Sequence, residues 1–338
     1  MFRLLPLACL IIATALSLLL GPNWSAGRAP VPWLIAIGIV GLPHGAVDLA
    51  VSRRLCGWPA TLRLFAAYMA VMAVVLVAFL LLPRTVVVLF ALLSIWHFGL
   101  SHADGQSPSM RSPWPWPAIA AVARGASVLG VPLAAWPVAT GDVVTDLIRL
   151  VRPAVSNPTI GFDPASIRLT GVILLGASVV CLTIEAVASR HTPGGLRRSF
   201  DTLVDLLAIG FLGFVADPLF SIGVYFLCWH AWREMRPLAA VISPADRPAS
   251  LLHTLIAIHT AALPLLVPTW VCLAAGWWLL SPDHSLRDLA ILSLVVYLVV
   301  TPSHEALLDF LRMPGHTLPS ASHRQAAASC VVRSVSSS

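Results

Sequence analysis

A succession of apolar runs, each long enough to cross a bilayer and several interrupted by a histidine, constrains this chain more than any other feature. A span needs ~20 residues, with ~17–25 tolerated. Ten apolar segments are legible, at about 4–20, 31–51, 62–82, 85–104, 117–137, 167–188, 202–216, 218–235, 251–280 and 288–311. Hydrophobic residues make up 58% of the 338 and charged residues 11%, against about 25% charged in soluble domains. The expected fold class is all-α: a polytopic transmembrane helix bundle of about 8–10 spans, because only helices or closed barrels satisfy their backbone groups in lipid.

The loops orient the bundle. With the N-terminus in the cytoplasm, the inner loops and ends hold fourteen arginines and the outer loops six, with Arg124 left in the membrane. The positive-inside rule then predicts ten spans in a bacterial inner membrane with both termini cytoplasmic. The net charge of +6 thus reads as membrane orientation and not as a nucleic-acid surface. Residues 1–30 read as an N-terminal anchor or signal-like segment; no small-x-small site follows, which favours an uncleaved anchor. Residues 31–311 form the multi-span domain, and 312–338 a disordered tail. Segment 202–216 is short enough to be tilted or re-entrant. Segment 117–137, with Arg124, Gly130, Pro132 and Pro137, should line a protein interior. "DVVTDLIRLVRP" (142–153) reads as an amphipathic helix in the outer interface.

Some chemistry is excluded outright. All 21 basic residues are arginine, so no lysine Schiff base forms and a covalent retinal-binding opsin is ruled out. The six cysteines are scattered singly, without a CxxC, which argues against a disulfide framework or a cysteine zinc site.

The histidines carry the rest. His44, His97, His230 and His304 each fall in an even-numbered segment, six to nine residues before an inner-boundary charge. At ~1.5 Å per residue they form a layer about 9–14 Å from the cytoplasmic boundary. His259 approaches that layer from the opposite direction. "GLPHGAVDLA" (41–50) adds Asp48, four residues after His44 and expected to orient it. "SIWHFGLSHAD" adds His102 and Asp104, "YFLCWHAWREM" adds Glu234, and "TPSHEALLDF" adds Glu305 and Asp309. An unpaired intramembrane charge costs at least ~2.5–3.5 kcal/mol on insertion scales. Several such groups at one depth point to a shared divalent metal. Taken singly, a membrane histidine more often makes a helix–helix hydrogen bond, and Glu234 reads equally as a ligand or as a boundary charge paired with Arg233 or Arg236. The aromatics Trp96, Phe98, Tyr225, Phe226, Trp229 and Trp232 are packing residues by default, and the first five are candidates for an apolar substrate tunnel.

At "GLPHGAVDLA", "WHFGLSHAD" and "YFLCWHAWREM", in this order and spacing, the chain resembles the Brp/Blh family of membrane β-carotene 15,15′-dioxygenases. "ARGASVLGVP" (123–132) looks like the family's Arg-Gly segment, and "TPSHEALLDF" loosely matches its C-terminal Pro/His motif. The resemblance spans roughly residues 35–311. It implies an all-helical membrane enzyme that uses Fe(II) on histidines to split β-carotene, or a related carotenoid, with O2 into two retinals. The family's ligands carry over to His44, His97 and His230. Its fourth, from a WHxxxH pattern, is replaced here by Glu234, so Glu234, His304 or His259 completes the shell. A haem- or quinone-linked membrane electron-transfer protein, a diverged membrane isoprenoid oxygenase and a proton-relay transporter are the competing readings.

Overall fold

A computed structural model describes residues 4–103, 116–151, 162–191, 194–242, 250–281 and 283–312. Within those ranges the side chains of His102, Trp232, Glu234, Arg236 and Asp309, among a few others, fall outside the description, as do Asp104 and the expected tail after residue 312. Every described element is helical. The chain opens with α1 (Leu4–Leu20) and α2 (Pro22–Gly27). A broken helix follows, made of α3 (Pro30–Ala36), a π-helical turn (Ile37–Gly41), α4 (Leu42–Ala46) and α5 (Asp48–Cys56). Next come α6 (Trp58–Leu81), α7 (Pro83–Ala103), α8 (Trp116–Ala135), α9 (Pro137–Val151), α10 (Pro164–Ser189) and α11 (Gly195–Val215). A second broken helix comprises α12 (Pro218–Tyr225), another π-helical turn (Phe226–His230) and α13 (Ala231–Ile242). Two long helices, α14 (Leu251–Leu280) and α15 (Leu286–Arg312), close the chain. Starts are marked chemically: Pro164 and Pro218 occupy first-turn positions, behind Asp163 and Asp217 whose carboxylates cap the helix N-termini.

All ten expected segments are helical. Among the described residues, seven helices are long and apolar enough to cross a membrane, and Leu5–Leu20 and Pro218–His230 are shorter apolar helices. The spans divide into two kinds. The apolar stretches of α6, α10 and α14 are 6%, 11% and 17% buried, whereas those of α3–α5, α7, α8 and α15 are 50–56% buried. Helices whose Leu, Val and Ile side chains face outward all round need an apolar solvent, which a bilayer supplies. This is a membrane protein, with three largely outward-facing helices and a more buried set that carries His44, His97 and His304.

The inner set packs closely. At the α7–α8 crossing, a Cβ on Gly99 would come within 1.8 Å of the Ala121 carbonyl oxygen, and one on Gly125 within 1.7 Å of the Ile95 carbonyl oxygen. Only glycine permits that approach. Segment 117–137 does run through protein: α8 packs on α7, α10 and α11, and buried Arg124 is ion-paired to Glu185 of α10.

Candidate functional site

The backbone around two of the histidines departs from regular α-helix. Pro43 has no N–H, and its ring crowds the carbonyl four residues back. The helix widens ahead of it: the Leu42 N–H bonds to the Ile37 carbonyl, five residues back. His230 ends a second such turn, where the Ala231 N–H reaches the Phe226 carbonyl. π-turns are rare and concentrate at functional sites. In α15, Pro302 lies inside the helix two residues before His304.

These elements bring four imidazoles together. Ring centroids are 4.7 Å apart for His97 and His230, 4.9 Å for His44 and His304, 6.0 Å for His97 and His304, and 6.4 Å for His44 and His230. All four are buried. The Nε2 atoms of His97 and His230 face each other at 3.0 Å. Two imidazole nitrogens sharing one metal at ~2.1 Å each stand about 3–3.4 Å apart, so this spacing suits joint ligation.

Carboxylates fix two of the rings from behind. His97 donates Nδ1–H to Glu305, and His304 donates Nδ1–H to Asp48 at 2.7 Å. Each neutral ring then keeps its lone pair at Nε2, which is the usual arrangement of a metal-ligating histidine. His44 has neither ring nitrogen hydrogen-bonded among the described residues, although it is 5% exposed. A buried polar atom left unpaired costs about 1–3 kcal/mol. The imidazole donors and this ring are the chemistry that suits a divalent cation, although among the described residues no three such side chains already stand as a formed metal site.

The four-residue spacing predicts that Asp48 orients His44. The structure gives Asp48 to His304 instead, across 256 positions of sequence. The helix is reset at Val47, between α4 and α5, so His44 and Asp48 are not consecutive turns of one regular helix. His259 turns away, with Nδ1–H donated to the Leu255 carbonyl of its own helix at 2.8 Å. The Glu234 side chain lies outside the described residues; His304, its alternative, is in the cluster.

His44, His97 and His304 form part of the wall of a cavity of about 610 Å³, whose remaining lining is almost entirely apolar. Of the expected tunnel aromatics, Phe98 and Phe226 face it. Tyr225 and Trp229 do not: both are buried, Tyr225 against His230 and Trp229 under Arg233 at 4.5 Å, and half-buried Trp96 is likewise not in the lining. The helix expected in the outer interface is α9, and its Thr140, Val143, Val144 and Leu147 turn into the cavity.

The model of the family described as "Beta-carotene 15,15'-dioxygenase" matches residues 35–312. The chain belongs to the β-carotene 15,15′-dioxygenase family. One relative, a Halobacterium salinarum protein described as "Probable beta-carotene 15,15'-dioxygenase Blh", is 28% identical over 321 residues, 89% of each chain. A second, "Beta-carotene 15,15'-dioxygenase" of an uncultured marine bacterium, is 24% identical over 297 residues, covering 85% of this chain and 96% of the relative. No solved structure matches the chain. In this member of the β-carotene 15,15′-dioxygenase family the matched span contains all four clustered histidines and both carboxylates.

The residue whose role the sequence does not give is Glu305. It adjoins His304, and adjacent helical residues point about 100° apart, so it serves a neighbouring helix. The signal available was a carboxylate in an apolar helix, at a depth where it needs a partner.

Proposed function

We propose that this protein is an iron-dependent dioxygenase that cuts the central 15,15′ double bond of β-carotene with O2 to give two molecules of retinal; its relatives are named as β-carotene 15,15′-dioxygenases. The convergence of four imidazoles, three of them on the wall of an apolar cavity, is the observation that carries this reading. His44, His97, His230 and His304 would hold the metal, and Fe(II) bound there would supply the redox chemistry that lets O2 react with a closed-shell polyene. The atoms balance without a further reductant. One carbon–carbon double bond and the O–O bond break, and both oxygen atoms end in the two carbonyl groups.

The chain's own residues do the positioning. Glu305 and Asp48 each take an Nδ1–H, which fixes the His97 and His304 rings with Nε2 toward the cluster. Two carboxylates also offset the charge of a divalent cation in a low-dielectric site. Phe98 and Phe226 pack against His230 at centroid distances of 5.1 and 4.7 Å, shielding the ring from water while presenting apolar surface to a polyene. The absence of lysine means that no side-chain amine in this chain captures an aldehyde product.

Access fits a lipid-dissolved substrate. Met69 of α6 and Pro268 and Cys272 of α14 belong to the cavity lining and are also exposed on the lipid-facing side. We place the protein in a bacterial cell membrane, multi-pass, with both ends cytoplasmic, on the arginine count of its loops. A haem protein is less well supported. Axial imidazoles must stand on opposite sides of a porphyrin plane, and the His97 and His230 nitrogens at 3.0 Å leave no room for one.

Expression in a β-carotene-producing bacterium tests the reading. Loss of colour with accumulation of retinal is expected for the intact chain, and retained colour for His97→Ala. Full pigment retention by a metal-loaded wild-type protein, or a Soret band in the purified protein, would overturn it.

A further inference from the structure

The cavity has a direction. Along α7 its lining runs from Val87 to His97 and Phe98, and along α15 from Leu294 to His304. The ten residues from Val87 to His97 amount to about 15 Å at ~1.5 Å per residue. The histidines stand at one end. At the other, Thr140, Val143, Val144 and Leu147 of α9 line it at the i, i+3, i+4, i+7 spacing of one helix face. An amphipathic helix of this kind would otherwise lay its apolar face in the interface. Here the face is turned inward and the helix is fastened down. Leu147 and Ile148 are 4% and 1% exposed, and Asp146 accepts two hydrogen bonds, at 2.8 and 3.0 Å, from Arg287 at the start of α15.

We infer that α9 is the end-stop of the substrate channel, and that Val143, Val144 and Leu147 select the bond that is cut by limiting how far one arm of the polyene enters. This rests on the carotenoid-cleavage reading. A conjugated chain offers a carbon–carbon double bond at every second carbon, and cleavage balances equally at any of them: each cut double bond takes both atoms of one O2 and yields two carbonyl compounds, a ketone in place of an aldehyde where the carbon carries a methyl group. Nothing in the reaction itself favours the centre. A stiff rod stopped at a fixed distance from the histidines presents one bond to them, whereas the outer margin at Met69 and Cys272 is open and sets no such limit on the second arm.

The test compares Val144→Ala, which deepens the channel, with Val144→Trp, which shortens it; Val172→Trp on the exposed face of α10 is the control. Each is given β-carotene and, separately, a carotenoid aldehyde lacking one ring, and products are resolved by chain length alongside metal per chain. For Val144→Ala the expected result is a pair of carbonyl products of unequal length beside retinal. For Val144→Trp, the preference for β-carotene over the shortened substrate should fall about ten-fold or more. Val172→Trp should behave as wild type. If Val144→Trp does not hold metal, the products of Val144→Ala decide alone. Retinal as the sole product of Val144→Ala, with wild-type preference in any metal-loaded Val144→Trp, overturns the end-stop while leaving the cleavage reading intact. A wild type that forms no aldehyde overturns both.

Discussion

On His97, one ring nitrogen is held by Glu305 and the other faces His230, so the residue links an outer carboxylate to the centre of the cluster. Removing that carboxylate should matter without touching a ligand. Glu305→Ala is expected to lower metal affinity about 10–100-fold, as loss of such partners usually does. Glu305→Gln, which keeps an acceptor but not the charge, should fall between. Metal titration followed by elemental analysis reads this directly, and unchanged affinity in Glu305→Ala would remove Glu305 from the site. A second measurement separates the two candidates for the fourth position. His304→Ala should empty the site as His97→Ala does, whereas Glu234→Ala should leave about one metal per chain; the reverse pattern would return the role to Glu234. The histidines themselves were legible in the sequence, because an imidazole in an apolar run needs a reason to be there. Their partners were not. Asp48 is near His44 in sequence and bonds His304, and Glu305 is next to His304 and bonds His97. Each carboxylate crosses to another helix, and periodicity within one helix cannot say which helix lies opposite.

Helix existence followed from hydrophobic runs alone, but helix register did not. The turns at Ile37–Gly41 and Phe226–His230 and the break at Val47 are each changes of a single residue in hydrogen-bond pattern. Hydropathy is blind to them, though Pro43 gave one hint. The α9 helix shows the same limit: its amphipathic pattern was plain, while the partner of its apolar face was a matter of tertiary packing. The α7–α8 crossing yields a prediction with an internal control. Gly125→Ala would set a methyl 1.7 Å from the Ile95 carbonyl oxygen, two residues before His97. Backbone cannot yield as a flexible side chain does, so the helices must part, at about 1–3 kcal/mol. Gly176→Ala in α10 meets nothing within 4 Å and should be neutral or stabilising, since alanine gains up to ~1 kcal/mol over glycine in a helix. Thermal unfolding in detergent is expected to show a lowered Tm and reduced metal content for Gly125→Ala only. Equal melting of the two variants would mean that the crossing has slack.

Taken whole, the molecule reverses the usual distribution of polarity. Its outward faces are apolar, as at Leu169, Val172, Ile173, Val179 and Val180 of α10, while a set of titratable groups, His44, Asp48, His97, Arg124, His230, His304 and Glu305 among them, is buried. Such a protein tolerates an internal charge only where the fold supplies the opposite one. Besides the histidine site, the Arg124–Glu185 pair between α8 and α10 obeys this rule. Arg124 is 6% exposed, whereas the Glu185 side chain is 36% exposed, so the arginine is the more deeply committed partner. Removing the carboxylate alone should therefore be the damaging change. Glu185→Leu leaves a buried guanidinium without its partner and is expected to destabilise by about 2–4 kcal/mol, with reduced accumulation in the membrane. Arg124→Leu removes the buried charge and leaves a half-exposed carboxylate, a smaller loss. The double substitution Arg124→Leu/Glu185→Leu should recover most of the stability, because a well-packed apolar pair is often as stable as the ion pair it replaces. Membrane yield and Tm across these variants form a closed cycle. A double variant as unstable as Glu185→Leu would mean that the pair holds α8 against α10 by geometry and not by charge balance. The site on α7 would then depend on that ion pair through the α7–α8 crossing.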